Sequence, residues 1–170
     1  MPESESLKDH LMTQPAIAEH AAPHSAHDVA QAVAQAMWPR DQATNALGME
    51  IVSVAPGRAT ISMRVRPDML NGHQTCHGGL IFTLADSAFA YACNSHNHST
   101  VASACHIDFL APARVGDLLE AEAVEQALAG RSGVYDVTVR VQGAQTVALF
   151  RGKSHRISGQ PVPGLTPAQP

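Results

Sequence analysis

Hydrophobic positions along the chain change their spacing several times, and each change marks an element. In HDVAQAVAQAMW, His27 to Trp38, the residues Val29, Val33, Ala36 and Met37 recur at helical intervals behind Asp28 as a cap, and Pro39 closes the run. From Gly48 the period drops to two. MEIVSVAPGRATISMRVRP alternates on either side of a Pro-Gly turn, which predicts a hairpin with strands over 49–55 and 58–66. The next segment, Leu80 to Cys93, is a continuous apolar run that carries one carboxylate, Asp86, and it predicts a long buried helix. After it, VASACHIDFLAPA, DLLEAEAVEQAL, GVYDVTVRVQG and QTVALFRGKSHRI return to strand patterns, separated by Pro112, Gly116, Gly130, Gly133 and Gly143. The predicted order after the first helix is β-β-α-β-β-β-β.

A helix that is apolar on every side has to be covered on every side. The expected architecture is therefore α+β, with an antiparallel sheet wrapped around one long central helix. Ala85, Ala88, Ala90 and Ala92 are small enough to let strands approach closely, and Phe82 and Phe89 fill the gaps. Residues 1–26 show no sustained period and residues 159–170 are Pro-rich, so both are expected to be disordered tails around a single domain over 27–158.

Composition narrows the setting. A chain of 170 residues, 45% apolar and with mean hydropathy near zero, suits one globular domain. A net charge of −4 and a pI near 6.2 supply no basic stripe for a phosphate backbone, so no nucleic-acid partner is expected. Cys76, Cys93 and Cys105 are odd in number and lack CxxC spacing, which points to free thiols in a reducing compartment. The first residues lack a basic and apolar leader pattern, and no stretch reaches the ~18 apolar residues of a membrane span. A cytoplasmic protein is expected.

The chemistry concentrates around the long helix. Gly78 and Gly79 stand at its start behind His77, where unpaired backbone amides and the helix dipole attract negative charge; the plainer reading is two glycines serving a tight turn. Asp86 weighs on the choice. A carboxylate there, with only Thr83 and Ser87 as polar neighbours, is expensive to bury unless it is paired or employed. One reading is a structural Asp bonded to a Thr or Ser of another element; the other is an acid facing a cleft, tuned by desolvation as nucleophile or general base. Eight residues at ~1.5 Å rise separate Asp86 from Gly78 by about 12 Å along the axis. If the amides hold a carbonyl oxygen while the acid acts on its carbon, the two groups must come from different copies of the helix, antiparallel across a dimer interface. His73 and His77 have metal-ligand spacing but precede the helix and lack a third ligand in register, so no metal is expected.

At this point the residues match a known pattern. LNGHQTCHGGLIFTLADSAFAYACNS, with ASACHIDFLAPARVGD and the strand text that follows, resembles the hotdog-fold acyl-CoA thioesterases of the PaaI type from phenylacetic acid catabolism, over roughly residues 40–158. The His-Gly-Gly motif with an Asp eight residues after its first glycine carries most of the likeness. The resemblance implies Gly78 as oxyanion-hole glycine, Asp86 as catalytic carboxylate, Asn71 as the residue that places the thioester or the attacking water, and His77 as support for the loop. It places Gly79 and Thr83 beside the substrate, with a further polar position at Ser103 or else Ala102. It also implies an acyl-CoA substrate, no separate cofactor since CoA belongs to the substrate, and a homodimer with shared sites assembled into a homotetramer.

Arg114, Arg151, Lys153 and Arg156 are candidates for the CoA phosphates, although solvated strand edges explain each of them singly. Met69, Phe89 and Tyr91 could line an aryl pocket or belong to the core. Two other functions fit the same text: a hotdog hydratase or dehydratase pairing His77 with Asp86, and an acyl-CoA-binding module without turnover. The buried acid argues against the second, because a sensor has no use for a carboxylate at its ligand's carbonyl.

Overall fold

Ser25, rather than Asp28, caps the first helix. The computed structural model describes residues 25–142 and 145–168. Its first element, α1 (Ala26–Met37), opens on a capping box in which Asp28 N–H donates to Ser25 Oγ and Ser25 N–H donates back to the Asp28 carboxylate, each at 3.1 Å. The expected N-terminal tail lies outside the described residues except for its last two, which form this cap and first turn. Val29, Ala30, Val33 and Ala34 form the buried face, and Pro39 ends the helix in a single 3-10 turn. A five-residue helix, α2 (Gln42–Ala46), follows behind its Asp41 cap. It spans little more than one turn and leaves no periodic signature, so the sequence pattern missed it.

β1 (Met49–Ala55) and β2 (Arg58–Arg64) form the expected hairpin. Then come α3 (Gly78–Asn94), β3 (Thr100–Phe109), β4 (Leu118–Ala129), β5 (Ser132–Val141) and β6 (Thr146–Arg156). All strand pairs are antiparallel, in the spatial order β1-β2-β4-β5-β6-β3. β3 crosses from the end of α3 to the far edge of the sheet and pairs only with β6. The helix packs chiefly on β2, β4 and β5. Ala85, Ala88 and Ala92 of α3 and Ala59, Ala121 and Ala123 of the sheet are all fully buried, so small residues on both sides set the close approach. Leu84, Phe89, Ile61 and Leu119 fill the core, each contributing about 1.5–3 kcal/mol on burial.

The antiparallel sheet wraps the long central helix as expected. Gly79, Phe82, Thr83, Asp86 and Ala90, at helical spacing, form a stripe of α3 that keeps partial or full exposure. β3 is exposed along most of its length on both faces, including Val101 at 46% and Phe109 at 53%. One expectation needs correcting: the run after β6 is not a loose tail. Buried Asn97 donates from Nδ2 to the carbonyls of Val162 and Leu165 and accepts from Val162 N–H, while Ala168 N–H reaches His96 O. These bonds tie the segment to the loop after α3. Among the described residues no helix is long and apolar enough to cross a membrane.

Candidate active site

His77 is the N-cap of α3. Its Nδ1 accepts from Gly79 N–H at 3.0 Å, a bond that fixes the ring over the first turn and satisfies one of the unpaired amides there. The neighbouring amide, Gly78 N–H, donates to nothing among the described residues. The preceding loop is rigidly tied: Asn71 Oδ1 accepts from His73 and Thr75 N–H, Asn71 Nδ2 donates to Thr75 Oγ1 at 3.0 Å, and Gln74 takes a left-handed φ of 60°. Cys76 N–H to Ala113 O and His77 N–H to Met69 O, both at 2.9 Å, hold the loop against its neighbours. One hydrogen of the Asn71 amide nitrogen remains beyond its bond to Thr75. Asn71, Cys76, Gly78, Ile81 and Phe109 line a pocket of about 340 Å³. Phe109 lies so close over Gly78 that a Cβ there would stand 3.1 Å from its ring, so glycine is what admits the ring and leaves the amide accessible.

Asp86 is half-buried on the outer stripe of α3, and burial alone pushes its carboxyl above the usual aspartate range. Neither polar neighbour bonds to it. Thr83 Oγ1 donates to Gly79 O at 2.8 Å, and Ser87 Oγ turns inward to Thr44 Oγ1 at 3.3 Å. The carboxylate has no hydrogen bond or ion pair among the described residues, which removes the reading of a structural Asp held by Thr or Ser. Its charge reaches β3: the Cys105 thiol is pushed up by burial and, secondarily, by Asp86. Asp86 does not line the pocket at Gly78. One chain therefore carries an open amide with a pocket and, two turns further on, a desolvated acid without a partner.

Comparison with known proteins gives this arrangement a family. Residues 73–148 match the profile of the thioesterase superfamily. The acyl-coenzyme A thioesterase PaaI of Escherichia coli is 54% identical over 126 residues, covering 74% of this chain and 90% of that protein. The chain belongs to the thioesterase superfamily. The structure of the E. coli PaaI protein, from the phenylacetic acid degradation operon, superposes with a TM-score of 0.79 at 51% identity, covering 80% of this chain and 99% of that one. A Streptococcus mutans protein bound to acetyl-CoA matches with a TM-score of 0.63 at 27% identity, over 66% of this chain and 90% of that one. The fold is the hotdog arrangement.

The remaining candidates of this thioesterase scatter. Ser103 is the extra residue of a β-bulge between Ala102 and Ala104, and its Oγ donates to Lys153 O at 2.9 Å. Gly152 faces the Phe89 ring of α3, so its neighbours Arg151 and Lys153 project from the opposite face of the sheet, away from Gly78 and Asp86. Arg151 is engaged there in a two-pronged pair with Asp136 at 2.6 and 2.8 Å. Arg114 lies on the β3–β4 connection beside Ala113, whose carbonyl anchors Cys76, and its backbone N–H donates to Asp117 Oδ2 at 2.7 Å. Met69, Phe89 and Tyr91 are core residues at 2%, 1% and 1% exposure and line no pocket at Gly78. The sequence reading overlooked Phe109 and Cys105. Period-two alternation along β3 puts both on one face, a signal that was available.

Proposed function

We propose that this thioesterase hydrolyses acyl-CoA thioesters, with phenylacetyl-CoA and its ring-hydroxylated relatives as preferred substrates, at sites shared by two chains. The observation that carries the reading is the pairing of an unengaged Gly78 amide with an unpartnered, desolvated Asp86 in a chain more than half identical to a curated acyl-CoA thioesterase. β3 supports the shared site. It is ten residues long, has one unpaired edge, and exposes Val101 and Phe109, features that invite strand-to-strand pairing with a second copy. Two-fold pairing on that edge sets the α3 helices antiparallel, so that Gly78 of one chain meets the partner's Asp86 and the ~12 Å gap is bridged. Pairing of such dimers completes a homotetramer.

In this site the thioester carbonyl oxygen accepts from Gly78 N–H, the first turn of α3 adding its dipole to the charge that develops there. Asp86 takes a proton from water as the water oxygen attacks the carbonyl carbon. The tetrahedral intermediate collapses, the C–S bond breaks, and the CoA sulfur leaves with the proton, which yields the free acid. Desolvation makes Asp86 a stronger base than an exposed aspartate, which suits this role. Asn71 positions the water or the thioester through its remaining N–H, and His77 holds the loop.

Thiol release from a panel of acyl-CoAs tests the assignment. Phenylacetyl-CoA is expected to exceed acetyl-CoA in kcat/KM; equal or better turnover of acetyl-CoA would contradict the aryl preference. A single turnover in ¹⁸O-water is expected to place the label in the product acid, and label recovered in the Asp86 carboxylate would instead establish direct attack through a mixed anhydride.

A further inference from the structure

A second cavity, of about 240 Å³, lies at the opposite end of α3 from Gly78, under the loop that follows the helix. Its wall includes Cys93, His96, His98, Arg131, Tyr135 and Arg156, and no carboxylate. His96 is 6% exposed. Its Nε2 lies 2.9 Å from Glu125 Oε2, the same oxygen that accepts the Tyr135 hydroxyl at 2.7 Å. Nε2 and the Tyr135 hydroxyl thus converge on one Glu125 oxygen, which fixes the ring plane and leaves Nε2 engaged. The other ring nitrogen, Nδ1, is buried and has no partner among the described residues. Buried polar atoms are almost always satisfied by protein, water or a ligand.

Glu125 occupies the Nε2 side of the ring, and the charged groups of the cavity wall are basic. Arg131 and Arg156 stand there with His98, whose proton affinity is lowered by burial and then by the Arg156 charge. Among the described residues, the Arg131 side chain spends only its Nε, on Arg156 O at 2.9 Å. The end of a helix normally repels an anion, but two of the terminal carbonyls of α3 are engaged: Ser95 covers Ala92 O with both N–H and Oγ, and Asn97 N–H donates to Asn94 O. The volume falls below the roughly 300–1,000 Å³ of pockets for drug-sized ligands, which leaves room for an ion or a small organic acid.

We propose that this cavity is a second binding site, for a small oxyanion of the carboxylate or phosphate class, which accepts a hydrogen bond from His96 Nδ1 and pairs with Arg156 and Arg131. The groups facing that ring are Glu125, Tyr135, Cys93, His98 and the two arginines. The site does not depend on the thioesterase chemistry and lies on the far side of Asp86 from the helix start.

The test uses the full-length protein, labelled with ¹⁵N, titrated with inorganic phosphate and separately with phenylacetate. Saturable movement of the His96 Nδ1 resonance is expected with at least one probe. The Arg131→Ala/Arg156→Ala double variant is expected to bind at least tenfold more weakly at unchanged Tm, and Asp86→Asn is expected to bind as wild type, which separates this site from the catalytic one. Displacement of phosphate from His96 by CoA would identify the nucleotide's phosphate as the source, and its failure would identify a free anion. Absence of saturation in the millimolar range, with water alone as the partner of Nδ1, would overturn the proposal, as would unchanged binding in the double arginine variant.

Discussion

Asp86 carries opposite consequences for activity and for stability. Its substitution by Asn is expected to lower kcat at least about a hundredfold, the low end for a positioned acid or base, with the fold intact. Stability should move the other way. Burial raises the Asp86 pKa in the folded chain, so the folded state binds the proton more tightly than the unfolded one. The stabilising effect of that proton is complete below the unfolded-state value and is lost as pH rises through the folded-state value, so at neutral pH the ionised group weighs against folding. The Asp86→Asn protein is therefore expected to melt at or above the wild-type temperature at neutral pH, with the difference shrinking in acid. A clear loss of Tm at neutral pH would mean that the carboxylate has a partner after all. Asp86 and Gly78 were legible in the sequence because each breaks a local rule, an acid in an apolar helix and a doubled glycine at its start. Arg151 was not, because its engagement with Asp136 depends on the β5–β6 register, which no local pattern encodes.

Elements were read well where periodicity is long and poorly where it is short. The six strands and α3 emerged from spacing alone. α2, the bulge at Ser103 and the docking of the last segment on Asn97 did not, since each follows from contacts with distant chain. The wrapping of α3 by an antiparallel sheet was legible because its apolar run is long; the stripe left open at Gly79, Thr83 and Asp86 was not, because which side of a helix its sheet covers is set by strand order. The helix–sheet contact itself can be tested at Gly152. A Cβ there would stand 2.9 Å from the Phe89 ring, which cannot retreat because Tyr135 and Phe150 flank it at centroid distances of 5.4 and 5.9 Å. Gly152→Ala is expected to destabilise by about 1–3 kcal/mol, read from denaturant midpoints, as an overpacked core does. An unchanged midpoint would show that the ring cluster can shift.

On the scale of the whole molecule, the separation of Gly78 from Asp86 makes complementation the decisive experiment. A chain with Asp86→Asn keeps its amide, and one with Gly78→Val keeps its acid. A heterodimer of the two has one site with both lesions and one with neither. Random pairing makes about half the dimers mixed, so a refolded mixture should recover roughly a quarter of wild-type activity, less the folding cost of Val against Phe109. A mixture no more active than the separate variants, with heterodimers verified by native mass spectrometry, would restrict each site to one chain. The bare edge of β3 then has a kinetic meaning. A catalyst assembled from two half-sites obeys mass action in its own concentration. Under strong dilution the rate should turn from first to second order in enzyme, while the Cys105 thiol on β3 should become more reactive to alkylating reagents over the same range.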